Sequence, residues 1–149
     1  MNSDFKDLLR LFNAEQVEYL VIGGYAVIEY TEPRYTKDLD VWVRAEPANA
    51  ERVFRALAKF GAPLGGVTAA DFAEEGYIFQ IGVAPIRVDI LMSVEGLTFS
   101  EAWPNRTAIS FDGSDAWVIS RTDLIRTKRA SGRTQDLLDV ENLERSESA

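Results

Sequence analysis

The alternation in Asp38-Leu39-Asp40-Val41-Trp42-Val43 constrains the fold more than any other stretch of the chain. On a strand, successive side chains point to opposite faces. Leu39, Val41 and Val43 therefore mark a core side, and Asp38, Asp40 and Trp42 share the other. Two carboxylates at roughly 4 Å repel by about 1–4 kcal/mol, depending on the effective dielectric. A sheet face that needed only solubility gains nothing from such a pair, whereas a divalent cation reverses the sign of the interaction. Arg87-Val88-Asp89-Ile90-Leu91 repeats the alternation with a single acid, and a carboxylate inside an apolar strand is costly unless paired or coordinated. If the two strands lie side by side, three carboxylates converge, and such a cluster can hold two metal ions for in-line phosphoryl transfer. Alone, the Asp-x-Asp pair is more often a plain strand edge than a metal site, and Asp89 alone fits a pair to Arg44 or Arg87.

The rest of the chain alternates helical and strand patterns. Ser3 or Asp4 is placed to cap a first helix with Phe5, Leu8, Leu9 and Phe12 on one face. Val17–Ile22 reads as a buried strand ended by Gly23-Gly24, and Tyr25–Tyr30 as a short helix broken at Pro33. Arg34–Lys37 reads as a loop, Leu39–Arg44 as the second strand, and Pro47 stands near the start of a helix that runs to Phe60 and stops at Gly61. Residues 61–76 suggest a loop with one helical turn, and residues 93–106 give no firm pattern. Tyr77–Val83 and Ile86–Leu91 suggest strands joined at Ala84-Pro85, and Ala108–Asp112 with Ala116–Ile119 a hairpin around Gly113-Ser114. Ser120 and Asp123 form a capping-box variant opening a basic helix, Gly132 interrupts, and Gln135–Leu143 is a last helix before a frayed tail at Glu144–Ala149. The expected architecture is one α/β (α+β) domain over residues 1–149: a mixed β-sheet flanked by helices, ending in a short C-terminal helical pair.

Composition narrows the chemistry. With no cysteine and no histidine, the chain cannot build thiolate or imidazole catalysis or a zinc site of those ligands. A metal here must be held by oxygen, which suits Mg²⁺, Mn²⁺ or Ca²⁺. The net charge of −8 does not attract nucleic acid or an anionic membrane. Arg121, Arg126, Lys128, Arg129 and Arg133 nevertheless crowd one stretch and suggest a place for a polyanion. No signal peptide or membrane-spanning run is present in the sequence, so a cytoplasmic location is expected.

Gly23-Gly24 links a strand directly to a helix. Glycines let a backbone approach a ligand, and the helix N-terminus presents N–H groups to a phosphate. The same pair also serves as a tight structural turn. Neither the Walker A pattern nor the dinucleotide-binding glycine pattern occurs.

Gly23-Gly24, thirteen intervening residues, Asp38-Leu39-Asp40 and a later strand Asp89 together resemble the nucleotidyltransferase superfamily of the DNA polymerase β type. Thr36-Lys37 before the first aspartate, and the basic helix followed by an Asp-rich one, are similar to the branch of AbiEii-like toxins and related small proteins. The longer toxins' large C-terminal helical domain has no counterpart in this sequence. The resemblance implies that Gly23 and Gly24 cradle a nucleoside triphosphate (NTP), that Asp38 and Asp40 hold its Mg²⁺ or Mn²⁺, and that Asp89 binds a second ion and helps activate an acceptor hydroxyl. It implies that Thr36, Lys37 and Lys128 contribute to nucleotide binding, and that Arg133 and Asp136 shape the acceptor side. Tyr25 and Tyr30 are expected at the pocket rim, and Trp42 packed under a helix. The expected reaction moves a nucleoside monophosphate to a small molecule, a protein or a tRNA, with a toxin–antitoxin role and a cognate antitoxin or other protein partner among the expectations. The alternative is an NTP- or partner-binding module of the same fold with little catalysis.

Overall fold

The computed structural model describes residues 1–32, 36–83 and 86–148. Pro33, the first two residues of the Arg34–Lys37 loop, and the turn Ala84-Pro85 lie outside the described residues. Helix α1 spans Ser3–Ala14 and is capped by Asn2, whose side chain accepts the Asp4 N–H at 2.7 Å. The expected cap at Ser3 or Asp4 thus sits one residue earlier, because Asn2 is the residue with extended backbone. Phe5, Leu8, Leu9 and Phe12 are all buried, as the helical spacing requires. Strand β1 is Tyr19–Ile22, shorter than expected. The Val17 N–H goes to the Phe12 carbonyl and the Glu18 N–H to Asn49 Oδ1, so both residues finish a turn rather than a ladder.

Helix α2 (Gly23–Tyr30) begins at the first glycine, two residues before the expected start. Strand β2 is Asp38–Val43, and α3 is Pro47–Phe60, stopped by Gly61 at φ +90°. Asn49, buried at the head of α3, donates to the Glu18 and Arg44 carbonyls and so clamps the ends of β1 and β2 together. A 3-10 turn at Ala69–Ala73 supplies the one turn expected in 61–76, followed by β3 (Ile78–Val83) and β4 (Ile86–Leu91). The patternless 93–106 region contains α4 (Phe99–Ala102), closed by a Thr98–Glu101 capping box, and a 3-10 turn at Trp103–Asn105. Strands β5 (Thr107–Phe111) and β6 (Ser114–Val118) form the expected hairpin.

Helix α5 (Arg121–Ser131) is capped by Ser120, which accepts the Asp123 N–H. The Asp123 carboxylate accepts from Asn105 instead of closing a box. Helix α6 runs Thr134–Ser148, so the expected frayed tail is helical as far as Ser148. Leu143 is fully buried and Glu144 pairs with Arg129 of α5, which ties the last turns down.

Among the described residues the sheet has six strands in the order β3-β4-β2-β1-β6-β5. β2 runs parallel to β4, and β1 parallel to β6; the other pairs are antiparallel, so the sheet is mixed as expected. This order sets up the site. The parallel register puts Asp40 opposite Asp89 and Asp38 opposite Arg87. The antiparallel register puts Ile22 opposite Asp40, which delivers the first turn of α2 to the same point.

Candidate active site

Gly23 opens α2 at φ +69°, a region that L-residues with a side chain rarely adopt. A Cβ placed there would lie 2.9 Å from Asp40 Cγ and closer still to Oδ2. The glycine is therefore what lets the Asp40 carboxylate stand against the head of the helix. Asp40 is crowded on its other side as well. Its pKa is pushed up to about 6, first by burial, then by Asp89 and Asp38, against the opposing pull of Arg87 and Lys128.

Arg87 shares the carboxylate face of β4 and spans the cluster. Its guanidinium lies 3.5 Å from Asp38 Oδ2, and its Nη2 donates to Asp89 Oδ2 at 3.3 Å. Arg87 Nε is 3.0 Å from Asp89 Oδ1, but the N–H is not aimed at that oxygen. Both atoms are buried without a hydrogen-bond partner among the described residues. A buried, unsatisfied carboxylate oxygen is unfavourable by about 1–3 kcal/mol.

The cluster forms the floor of a cleft of about 750 Å³. Ile22 and Gly23 line one side; Tyr77, Ile78, Leu91 and Val94 line another. Leu124, Thr127, Lys128 and Ser131 of α5, with Asp136 of α6, wall it from above the sheet.

Residues 3–147 match the family described as "Nucleotidyltransferase of unknown function (DUF6036)". The chain belongs to that nucleotidyltransferase family. Solved structures share the fold. The lincosamide antibiotic adenylyltransferase LnuA, bound to lincomycin, aligns over 97% of this chain and 96% of its own, at 16% identity and a TM-score of 0.62. ANT(2")-Ia in complex with adenylyl-2"-tobramycin aligns over 97% and 91%, at 14% identity and a TM-score of 0.58. An antigenic nucleotidyltransferase-like protein from Paracoccidioides brasiliensis aligns over 95% and 72%, at 14% identity and a TM-score of 0.54. No curated protein matches the sequence.

Lys128 is nine-tenths buried, donating to Asp136 at 3.1 Å and to Asp139 at 3.0 Å. Burial works to raise the Asp136 pKa, but hydrogen bonds from Ser131, Arg133 and Lys128 hold it below the ordinary value. The basic stretch is consequently not a vacant polyanion site. Arg121 donates to the Tyr30 carbonyl, Arg126 pairs with Glu101, Arg129 with Glu144 and Arg133 with Asp136. Asp139 went unnoticed in the sequence, although it lies three residues after Asp136 and hence on the same helix face. Arg87 was visible only as one possible partner of Asp89.

Gly24 follows Gly23 in the first turn of α2, and Thr36 and Lys37 lead into Asp38; none of the three lines the cleft, and Lys37 is exposed. Tyr25 and Tyr30 are not at the rim. Tyr25 packs edge-on between Phe5 and Phe111, and the Tyr30 hydroxyl donates to the Ile119 carbonyl at 2.6 Å. Trp42 is buried under α4, its ring 5.1 Å from that of Phe99.

Among the described residues no three carboxylates are gathered tightly enough, as they stand, to ligate one ion. The chemistry of the donors still fits a hard divalent cation. They are all oxygen, Asp89 Oδ1 has no hydrogen-bond partner among the described residues, and a guanidinium now supplies the positive charge the cluster needs. No helix among the described residues is long and apolar enough to cross a membrane.

Proposed function

We propose that the chain transfers a nucleoside monophosphate from an NTP to a hydroxyl acceptor and releases pyrophosphate. The observation that carries this reading is the Asp40–Asp89 pair set against the glycine-opened head of α2. Asp38, Asp40 and Asp89 would hold Mg²⁺ or Mn²⁺, which supplies charge neutralisation for the triphosphate when bound. The N–H groups at Gly23 and Gly24 orient phosphate oxygens. Thr36 and Lys37, which lead into Asp38 without lining the cleft, would meet a bound triphosphate only from its edge, whereas Lys128, fixed by Asp136 and Asp139, is part of the cleft wall. Asp89 Oδ1 receives the acceptor proton. The acceptor oxygen forms a bond to the α-phosphorus, the bond from that phosphorus to the bridging α–β oxygen breaks, and pyrophosphate leaves with the electron pair.

A small-molecule acceptor is favoured. The cleft volume lies within the range of small-ligand sites, and the net charge of −8 repels nucleic acid. Two proteins of the same fold are bound to small molecules, lincomycin in one and adenylyl-2"-tobramycin in the other. A second reading, an NTP- or partner-binding module without turnover, is favoured by one observation: Arg87 already bridges the carboxylates.

The test is incubation with each α-³²P-labelled NTP, Mg²⁺ and a lysate split into RNA, protein and small-molecule fractions. Label in the small-molecule fraction, absent with Asp38→Ala/Asp40→Ala protein, supports the proposal. Label in RNA or protein redirects the acceptor towards a toxin-like role. Mg²⁺-dependent NTP binding without label in any fraction selects the binding module.

A further inference from the structure

The carboxylate face of the sheet continues past the acids as an apolar shelf. Cross-strand partners share a face, so Asp40, Asp89 and Gln80 form one rung and Trp42, Leu91 and Ile78 the next, about 6.6 Å further along the strands. Trp42 is sealed by Phe99, but Leu91 is only half-buried and Ile78 stands 57% exposed. Tyr77, beside it, is 60% exposed. These are two of the four large hydrophobic side chains exposed among the described residues, and both line the cleft. Their backbone is fixed rather than loose: the Met92 N–H donates to the Tyr77 carbonyl at 3.2 Å, and the Gly76 N–H to Ser93 Oγ at 2.9 Å. Sheet order separates two halves of the cleft. Gly23 reaches Asp40 from the β1 side, whereas β3 lies on the far side of Asp89. A triphosphate on the glycines leaves the β3 side to the second substrate.

We propose that Tyr77, Ile78, Leu91 and Val94 form the acceptor subsite and select a small molecule that carries its reacting hydroxyl beside an apolar face. The proposal rests on the transferase reading above. The shelf covers the apolar part of the acceptor, and a hydroxyl one rung away meets Asp89. Exposed apolar surface that is rigid and continuous with a polar cluster is the usual make-up of a ligand site.

The test uses phenyl β-D-glucoside and methyl β-D-glucoside as probes, titrated by saturation-transfer NMR in the presence of Mg²⁺ and α,β-methylene-ATP. The phenyl probe is expected to bind at least about tenfold more tightly than the methyl probe, a difference of about 1.4 kcal/mol. Ile78→Ser is expected to erase that preference and Ile78→Val to keep it, with both variants binding Mg²⁺·α,β-methylene-ATP within twofold of the wild type. Equal binding of the two probes overturns the proposal. So does a tenfold loss of nucleotide affinity in Ile78→Ser, which would assign the shelf to the base. A wild-type dimer that Ile78→Ser converts to monomer in sedimentation would assign it to a second copy, and also overturns it. Failure of the nucleotide analogue to bind any of the proteins counts against the transferase reading, while the phenyl preference still reports on the shelf. Because Ile78 is more than half exposed, neither variant is expected to unfold the chain; Tyr77→Ser gives an independent check from the neighbouring position.

Discussion

Replacing Asp40 with Asn is expected to stabilise the fold while removing its activity. Burial, then Asp89 and Asp38, push the Asp40 pKa up to about 6. In the unfolded chain an aspartate titrates near ~3.9. The folded state therefore binds more protons than the unfolded state between those two values, and stability falls as pH rises through that window, staying level above it. A shift of about two units corresponds to about 3 kcal/mol at ~1.36 kcal/mol per unit, and access of water to the cleft lowers the figure to about 1–3 kcal/mol. Asparagine keeps the shape of the side chain and discards the charge. In EDTA at pH 8, Asp40→Asn should gain that amount; a gain of about 2 kcal/mol raises Tm by roughly 4–8 °C in a chain of this size. The gain should fall to about a third by about pH 4.5 and approach zero only below the unfolded value near ~3.9. Urea unfolding of both proteins across this range measures it. A variant no more stable than the wild type at pH 8, or a gain that persists undiminished in acid, would refute the claim that Asp40 is held against its own repulsion.

Gly23→Ala combines a left-handed backbone with a collision at the Asp40 carboxylate, so it should lose more than about 1–2 kcal/mol in urea unfolding, together with nucleotide binding. Arg87→Gln removes the cation between Asp38 and Asp89; the metal-free protein should melt lower, and calorimetry should show Mg²⁺ binding more tightly than in the wild type. Lys128→Met leaves Asp136 and Asp139 without their buried counter-charge and should destabilise by about 3–5 kcal/mol at pH 7. Because the folded Asp136 pKa is lowered, the stability it contributes is present above about pH 4 and lost as pH falls below it, which acid titration of the folded fraction would follow. Asn49→Ala should cost about 1–3 kcal/mol by leaving the Glu18 N–H without its acceptor, while the Glu18 and Arg44 carbonyls keep the Arg44 and Glu46 N–H groups, read as a lower urea midpoint with an unchanged slope.

The convergence of Asp40 and Asp89 was legible because strand periodicity is rigid: alternation alone fixes which residues share a face, and only the pairing of β2 with β4 had to be supplied by the fold. The helix Pro47–Phe60 was readable from a proline near its start and the glycine that stops it. Thr98 and Glu101 carry a capping-box signature that could have located α4 inside the patternless region. The misplacement of Tyr25 and Tyr30 has a different origin. Helical spacing says that a side chain lies on a face, but not which neighbour the face meets, and Tyr30 meets the Ile119 carbonyl 89 residues away. The partners of Lys128 likewise come from a different helix, so its charge balance could not be read from α5 alone.

The central claim is that Asp38, Asp40 and Asp89 bind a metal–nucleotide complex. Isothermal titration of α,β-methylene-ATP into the wild type and Asp40→Asn, each with Mg²⁺ and with EDTA, tests it most directly. The account predicts binding by the wild type with Mg²⁺, and a loss of at least about tenfold both in EDTA and in the variant. Equal affinity in all four titrations would contradict it.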